Sequence, residues 1–213
     1  MRFQNGLPVA INKTTHGLHK LGSAKVFVMR IFLTVLILTF SLQSLTKADD
    51  IRDFQIEGMS IGDSLLDFFS DKTINKALDE SHKGRLFITK TIKLKDSDIY
   101  EHVQVSYRRS DKNKKLHSVV GVKVFPDNIK RCRKEMKKID SEFSLLFNFA
   151  IKKDWGKYNA SQGHYFPITF DFKDKSRAMI ACYDWNKESG IKDNLKITLY
   201  SAEYREYLQT QLQ

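Results

Sequence analysis

Two triplets of strand-like alternation, separated by one long amphipathic stripe and joined internally by short polar connections, predict an α+β domain. The expected architecture is a mainly antiparallel sheet of about six strands, with a long amphipathic helix and shorter terminal helices on one face. A composition of 41% hydrophobic and 29% charged residues excludes collagen-like, disordered and polytopic membrane classes. Three prolines and ten glycines leave no room for a long linker.

The elements follow in chain order. Gly58 to Asp63 reads as a turn leading into a short helix, Ser64 to Phe69 (SLLDFF), capped by Ser60 or Asp63. Ser70 caps a second helical turn through Leu78. In the first triplet, Leu86, Ile88, Ile92 and Leu94 share one face. Ile99, Val103, Val105 and Tyr107 share a face of the second strand, and Leu116, Val120, Val122 and Val124 of the third. Arg108 to Lys115 is the polar hairpin loop, and pairing Tyr107 with Leu116 sets His102 opposite Gly121 and His117 opposite Ser106. Asp127 is expected to cap the longest helix. Along it Ile129, Cys132, Met136, Ile139, Phe143, Leu146 and Ala150 recur at alternating spacings of three and four, which makes one apolar stripe. Strands Tyr165 to Phe172, Arg177 to Trp185 and Leu195 to Tyr200 follow, and Ser201 caps a last helix through Leu212.

Residues Ile31 to Leu42 (IFLTVLILTFSL) are apolar over twelve positions, too few for a spanning helix, which needs about 20. With Arg30 before the run and Thr46-Lys47-Ala48 after it, they have the three parts of a secretion signal, residues 29–48. Cleavage would leave Asp49 first, and residues 49–213 would form a single exported α+β domain with a periplasmic or secreted location. Residues 1–28 are read as an over-extended or disordered lead. The alternative is a single-span signal anchor, with Arg30, Lys25 and Lys20 held inside.

The formal charge of +11 divides unevenly. Residues 1–48 hold six basic and no acidic residues, so the mature part keeps 30 basic against 25 acidic, +5. Lys130 to Lys138 (KRCRKEMKK) carries six cations and one anion, the whole of that excess. Lys130, Arg131, Arg133, Lys134, Lys137 and Lys138 fall opposite the apolar stripe and form a candidate interaction face for an unidentified protein or an anionic envelope component. Cations in a helix's first turn oppose its macrodipole, so helix stability does not account for Lys130 and Arg131. No nucleic-acid partner is expected of an exported chain, and the first reading of the six cations is a solvated face, with the interaction face second.

Cys132 and Cys182 both belong to the mature part, and export makes a disulfide the economical reading, with two buried free thiols as the alternative. No metal-ligand spacing, phosphate loop or nucleophile elbow is present, so no cofactor is expected. The function expected is therefore a non-catalytic interaction or binding module. The alternative is a small envelope hydrolase using His164 with Asp171 or Asp184. Tyr183, Trp185 and Tyr200 are a candidate aromatic patch on the outer sheet face, where a sugar or peptide could bind, although cover by a helix or loop is the commoner arrangement.

Phe54 to Ser70 (FQIEGMSIGDSLLDFFS), the inward helix cysteine Cys132 and the run Cys182-Tyr183-Asp184-Trp185 resemble a set of uncharacterised small secreted proteins of marine planktonic alphaproteobacteria. The likeness covers most of residues 50–208 and implies export but no activity. Gly58-Met59-Ser60 also looks like the Gly-Met-Thr turn of the outer-membrane assembly lipoprotein domain, from which this chain departs in lacking a lipid-bearing cysteine and in carrying three further strands.

Overall fold

A computed structural model describes residues 50–81 and 85–211, so the secretion segment, the Asp49 cleavage site and His82 lie outside the described residues. The α+β class and the antiparallel sheet are as expected, with every pairing antiparallel. The strands are β1 (Leu78–Asp79), β2 (Phe87–Lys93), β3 (His102–Arg108), β4 (Leu116–Val124), β5 (Ile151–Asp154), β6 (Tyr158–Ala160), β7 (Gly163–Asp171), β8 (Arg177–Trp185) and β9 (Asn194–Tyr200). The helices are α1 (Asp71–Lys76), α2 (Ile129–Leu146) and α3 (Ala202–Thr210). The sheet runs β1-β2-β3-β4-β9-β8-β7-β5, with β6 also paired to β7, so the two triplets join edge to edge through β4 and β9.

Nine strands replace the expected six among the described residues, because β1, β5 and β6 lack the alternation that marks a half-buried strand. Every residue of these three is exposed, and each fills an edge. The helix expected through Leu78 ends at Lys76, since Ala77 is already extended and Leu78 pairs with Thr91 on β2. Asp79, opposite Lys90, brings a carboxylate oxygen 3.0 Å from its ammonium. Lys90 shares its face with Ile88 and Ile92 and is buried, so β1 supplies the charge that this position requires.

A β-bulge corrects the face assigned to β4. Ser106 pairs with Ser118 and Tyr107 with Leu116, leaving His117 as the extra residue. Side chains alternate faces, so an inserted residue reverses the alternation beyond it. Leu116 therefore shares the core face with Val119 and Gly121, while Val120 and Val122 point to the other side. His102 stands opposite Val122, one residue from its expected partner Gly121, and His117 does not face Ser106. At Gly121 the Tyr100 ring lies 2.6 Å from where a Cβ would sit, so only glycine admits that ring.

One sheet face carries the core: Val103, Val105 and Tyr107 of β3, Leu195, Ile197 and Leu199 of β9, Ala178, Ile180 and Cys182 of β8, and Ile168 and Phe170 of β7. Over β8 and β9 lies α2, burying Cys132 and Met136, with Phe143 reaching Phe170 on β7. Asn128 caps it in place of Asp127, accepting from Arg131 N at 3.0 Å, because Asp127 sits in the left-handed region at φ 48°. The other half of the face is closed by the N-terminal chain through Ile51, Ile56, Met59, Ile61, Leu65 and Ile74. Its short helix is a 3-10 turn, Leu65–Asp67, capped by Ser64. Ser60 and Asp63, the expected caps, serve otherwise: the Ser60 hydroxyl is shared between Arg52 O and Phe54 O, and Asp63 accepts from Ser60 N.

The expectation of all helices on one face fails at α3. Ser201 caps it directly after β9, and Tyr204 packs edge-on against Phe87 while its hydroxyl meets Ser106 on the face opposite α2. Phe87 occupies that side because Ile88, its neighbour, takes the core side opposite Tyr107.

Candidate functional site

Cys132, on the first turns of α2, and Cys182, in mid-β8, form a disulfide with Cα atoms 6.0 Å apart. Both residues are fully buried, as the apolar stripe and the strand alternation require. The bond ties the helix to the sheet and thereby fixes what α2 shows to solvent.

All six cations of the basic segment are exposed. Lys130, Arg133, Lys134 and Lys137 line a groove of about 340 Å³ with no carboxylate among its lining residues. The flanking charges are partly compensated: Glu135 stands 3.6 Å from Lys123 and 3.9 Å from Lys138. Arg133 lies 4.4 Å from the Phe166 ring centre and Arg131 5.9 Å from that of Phe125, so aromatic faces steady both guanidinium groups. The first turn of α2 contains no acidic residue and its last turn no basic one, the reverse of what the macrodipole favours. A larger cavity of about 540 Å³ beside β1 and β2 is lined by Lys76, Lys93, Glu101 and His102, whose mixed charges do not select an anion.

The hydrolase candidates separate. His164 and Asp184 are cross-strand partners on β7 and β8, with Nε2 3.5 Å from Oδ2, and both are partly exposed. Asp171 is at the far end of β7 on the other face, seven residues from His164 and so about 23 Å away at the usual strand rise. It is engaged by Arg177 through two hydrogen bonds (2.6 and 3.0 Å) and by Arg205 at 2.9 Å, so it is not the partner of His164. Asp174 holds its own turn by accepting from Ser176 N and Oγ.

The aromatic patch forms with different members. Tyr183 stacks on Trp185 (5.4 Å) and on Tyr165 of the next strand (5.1 Å), and the row continues through Tyr158 (5.6 Å) to Trp155 (6.2 Å). Tyr200 instead meets Tyr204 of α3. Trp155, in the connection after β5, and Tyr158, the first residue of β6, escaped sequence reading because β5 and β6 did; Tyr165 was legible as a strand residue of the same parity as Tyr183. The near-parallel rings at these distances are offset-stacked, so much of each ring face is spent on its neighbour. Beside them the Lys196 ammonium sits 5.0 Å from the Tyr183 ring centre and 3.2 Å from Gln104 Oε1. Burial holds Lys196 below its ordinary range, and burial with the nearby Lys196 charge does the same to His102. Burial pushes the Tyr183 and Tyr200 hydroxyls up, so both stay protonated near pH 7.

Among the described residues no group of three or more His, Cys, Asp or Glu is placed to hold a metal ion, and no helix is long and apolar enough to cross a membrane. No family model matches the chain, and no curated protein or solved structure was found similar to it.

Proposed function

We propose that this chain is an exported, non-catalytic binding module whose ligand is anionic and whose binding face is the outer side of α2. The carrying observation is the groove lined by Lys130, Arg133, Lys134 and Lys137, four cations with no carboxylate between them, on a helix anchored covalently to its sheet. An oxidised cysteine pair suits an oxidising compartment, which supports the periplasmic or secreted reading. Retention on immobilised heparin at physiological salt is expected. Its loss in a Lys130→Glu, Lys134→Glu, Lys137→Glu variant that melts like the parent would support the reading; equal retention of parent and variant would remove it.

The second reading, a small envelope hydrolase, is favoured only by the 3.5 Å approach of His164 to Asp184. Ester or amide hydrolysis by the purified exported protein that is abolished by His164→Ala would install it.

A further inference from the structure

We infer that the anionic ligand is a lipid bilayer surface, met by the whole length of α2: cations in its first half contact headgroups, and leucines at its end enter the boundary of the acyl region. The inference rests on the anion-binding reading above and deepens it.

The argument starts from helical geometry. At about 100° per residue, Lys130, Lys134, Lys137, Lys138, Ser141 and Leu145 fall within about 100° of one another on the helix surface, a single ridge. The ridge lies opposite the buried Cys132 and Met136, and the disulfide holds it facing outward. Its first half is positive. Toward its end it carries Leu145, 78% exposed, while Leu146, about 100° round the helix toward the buried stripe, is 52% exposed and the exposed Glu142 stands one turn before them. Seven residues separate Lys138 from Leu145, about 10 Å along the axis, so the charged and apolar parts occupy one face no longer than the helix.

A phosphate-sized anion would need only the four-cation groove, and would leave the exposed leucines unexplained. An anionic bilayer uses both features, because headgroups attract the cations and the interfacial zone takes up leucine side chains. The charge pattern is compatible with this: Lys130 and Arg131 in the first turn oppose the macrodipole, so helix stability does not account for those two. Glu135 lies between Lys123 and Lys138 and leaves Lys130, Lys134 and Lys137 facing outward.

The test uses the exported protein, its intact mass recorded, in co-sedimentation with phosphatidylcholine vesicles with and without 30% (roughly one lipid in three) phosphatidylglycerol. Any residual apolar segment from residues 1–48 contributes to both compositions and cancels in their ratio. Each cation near an anionic surface strengthens binding about fivefold. Lys130→Glu, Lys134→Glu, Lys137→Glu is therefore expected to lower the phosphatidylglycerol-dependent affinity by at least about 100-fold. Leu145→Ser is expected to lower the affinity for the phosphatidylglycerol-containing vesicles about tenfold relative to the parent while leaving heparin retention unchanged. Equal binding to the two vesicle compositions, with heparin retention intact, would overturn the bilayer inference and leave an acidic soluble ligand in its place. A leucine variant that binds vesicles like the parent would overturn it too, by reducing the contact to charge alone. Loss of heparin retention in the parent would instead remove the anion-binding reading beneath it.

Discussion

Over β7, β8 and β9 the buried sheet face is closed by an 18-residue helix with a regular stripe, tied down by Cys132–Cys182. Over β2, β3 and β4 it is closed by the chain from Ile51 to Lys76, which has two 3-10 turns and six residues of α-helix. That segment is held by backbone pairing instead of a crosslink: Gly62 N donates to Leu116 O, Leu116 N to Asp63 O, and Leu65 N to Lys114 O. The two covers meet where Phe54 packs edge-on against Phe147 at 4.1 Å. A periodic helix can bury its stripe without matching its partner's backbone, whereas an irregular cover must satisfy its own polar groups one by one. The difference teaches that the irregular half depends on particular hydrogen bonds and the helical half on area and a covalent tie.

The strongest challenge to this comparison is removal of core from each cover. Phe147→Ala is expected to cost about 3–5 kcal/mol and Leu65→Ala about 2–5 kcal/mol, measured by denaturant unfolding, since both side chains are fully buried. A Leu65→Ala cost below about 1 kcal/mol would make the N-terminal cover a dispensable flap.

Next comes the tie itself. Cys132→Ser with Cys182→Ser is expected to cost about 2–5 kcal/mol. Amide exchange should accelerate first in α2 and β8, with Leu65 and Leu116 amides still protected. Equal acceleration in both halves would show that the covers open as one unit.

A smaller effect sharpens the other side. Ser60→Ala strands the Arg52 and Phe54 carbonyls at a buried position, with an expected cost of about 1–3 kcal/mol. The same substitution at the exposed Ser141 of α2 should stay within about 0.5 kcal/mol.

The smallest expected effect is acid sensitivity in the N-terminal half of the sheet. Burial holds both His102 and His117 below the ordinary 6.5; the Lys196 charge adds to this at His102, while Glu203 opposes it at His117. The folded state then binds fewer protons than the unfolded chain, so stability falls as pH drops below about 6.5, until the folded-state values are passed. The melting temperature between pH 7.5 and 5 should decline, and His102→Gln with His117→Gln should flatten the slope. A double variant with the parent's slope would place the sensitivity elsewhere.

What was legible in the sequence follows the same division. The α2 stripe from Ile129 to Phe143, the two buried cysteines and the six alternating strands carry periods that can be read without coordinates, and the six cations are exposed as the helical period places them; Leu146, expected on the stripe, is 52% exposed because it is the helix's last residue. The burial of Ile51, Ile56, Met59 and Ile61 carries no period, because turns set each side chain separately. The His117 bulge is one residue long and invisible to alternation counted on either side, yet it turned Val120 and Val122 from the core. Edge strands β5 and β6 are polar or exposed throughout, and with them went Trp155 and Tyr158.

The link between Cys132 and Cys182, 50 positions apart, also converts the intervening chain into a closed covalent loop. That loop carries β5 and β6, whose every residue is exposed, and the turn at Gly156 between them, where φ is positive. A protease cutting there severs the polypeptide without releasing either piece. Nicked molecules would migrate as one band until reduced and as two afterwards, and both fragments would remain seated on the same sheet. Cleavage at these exposed peptide bonds thus need not separate α2 from the sheet that carries it.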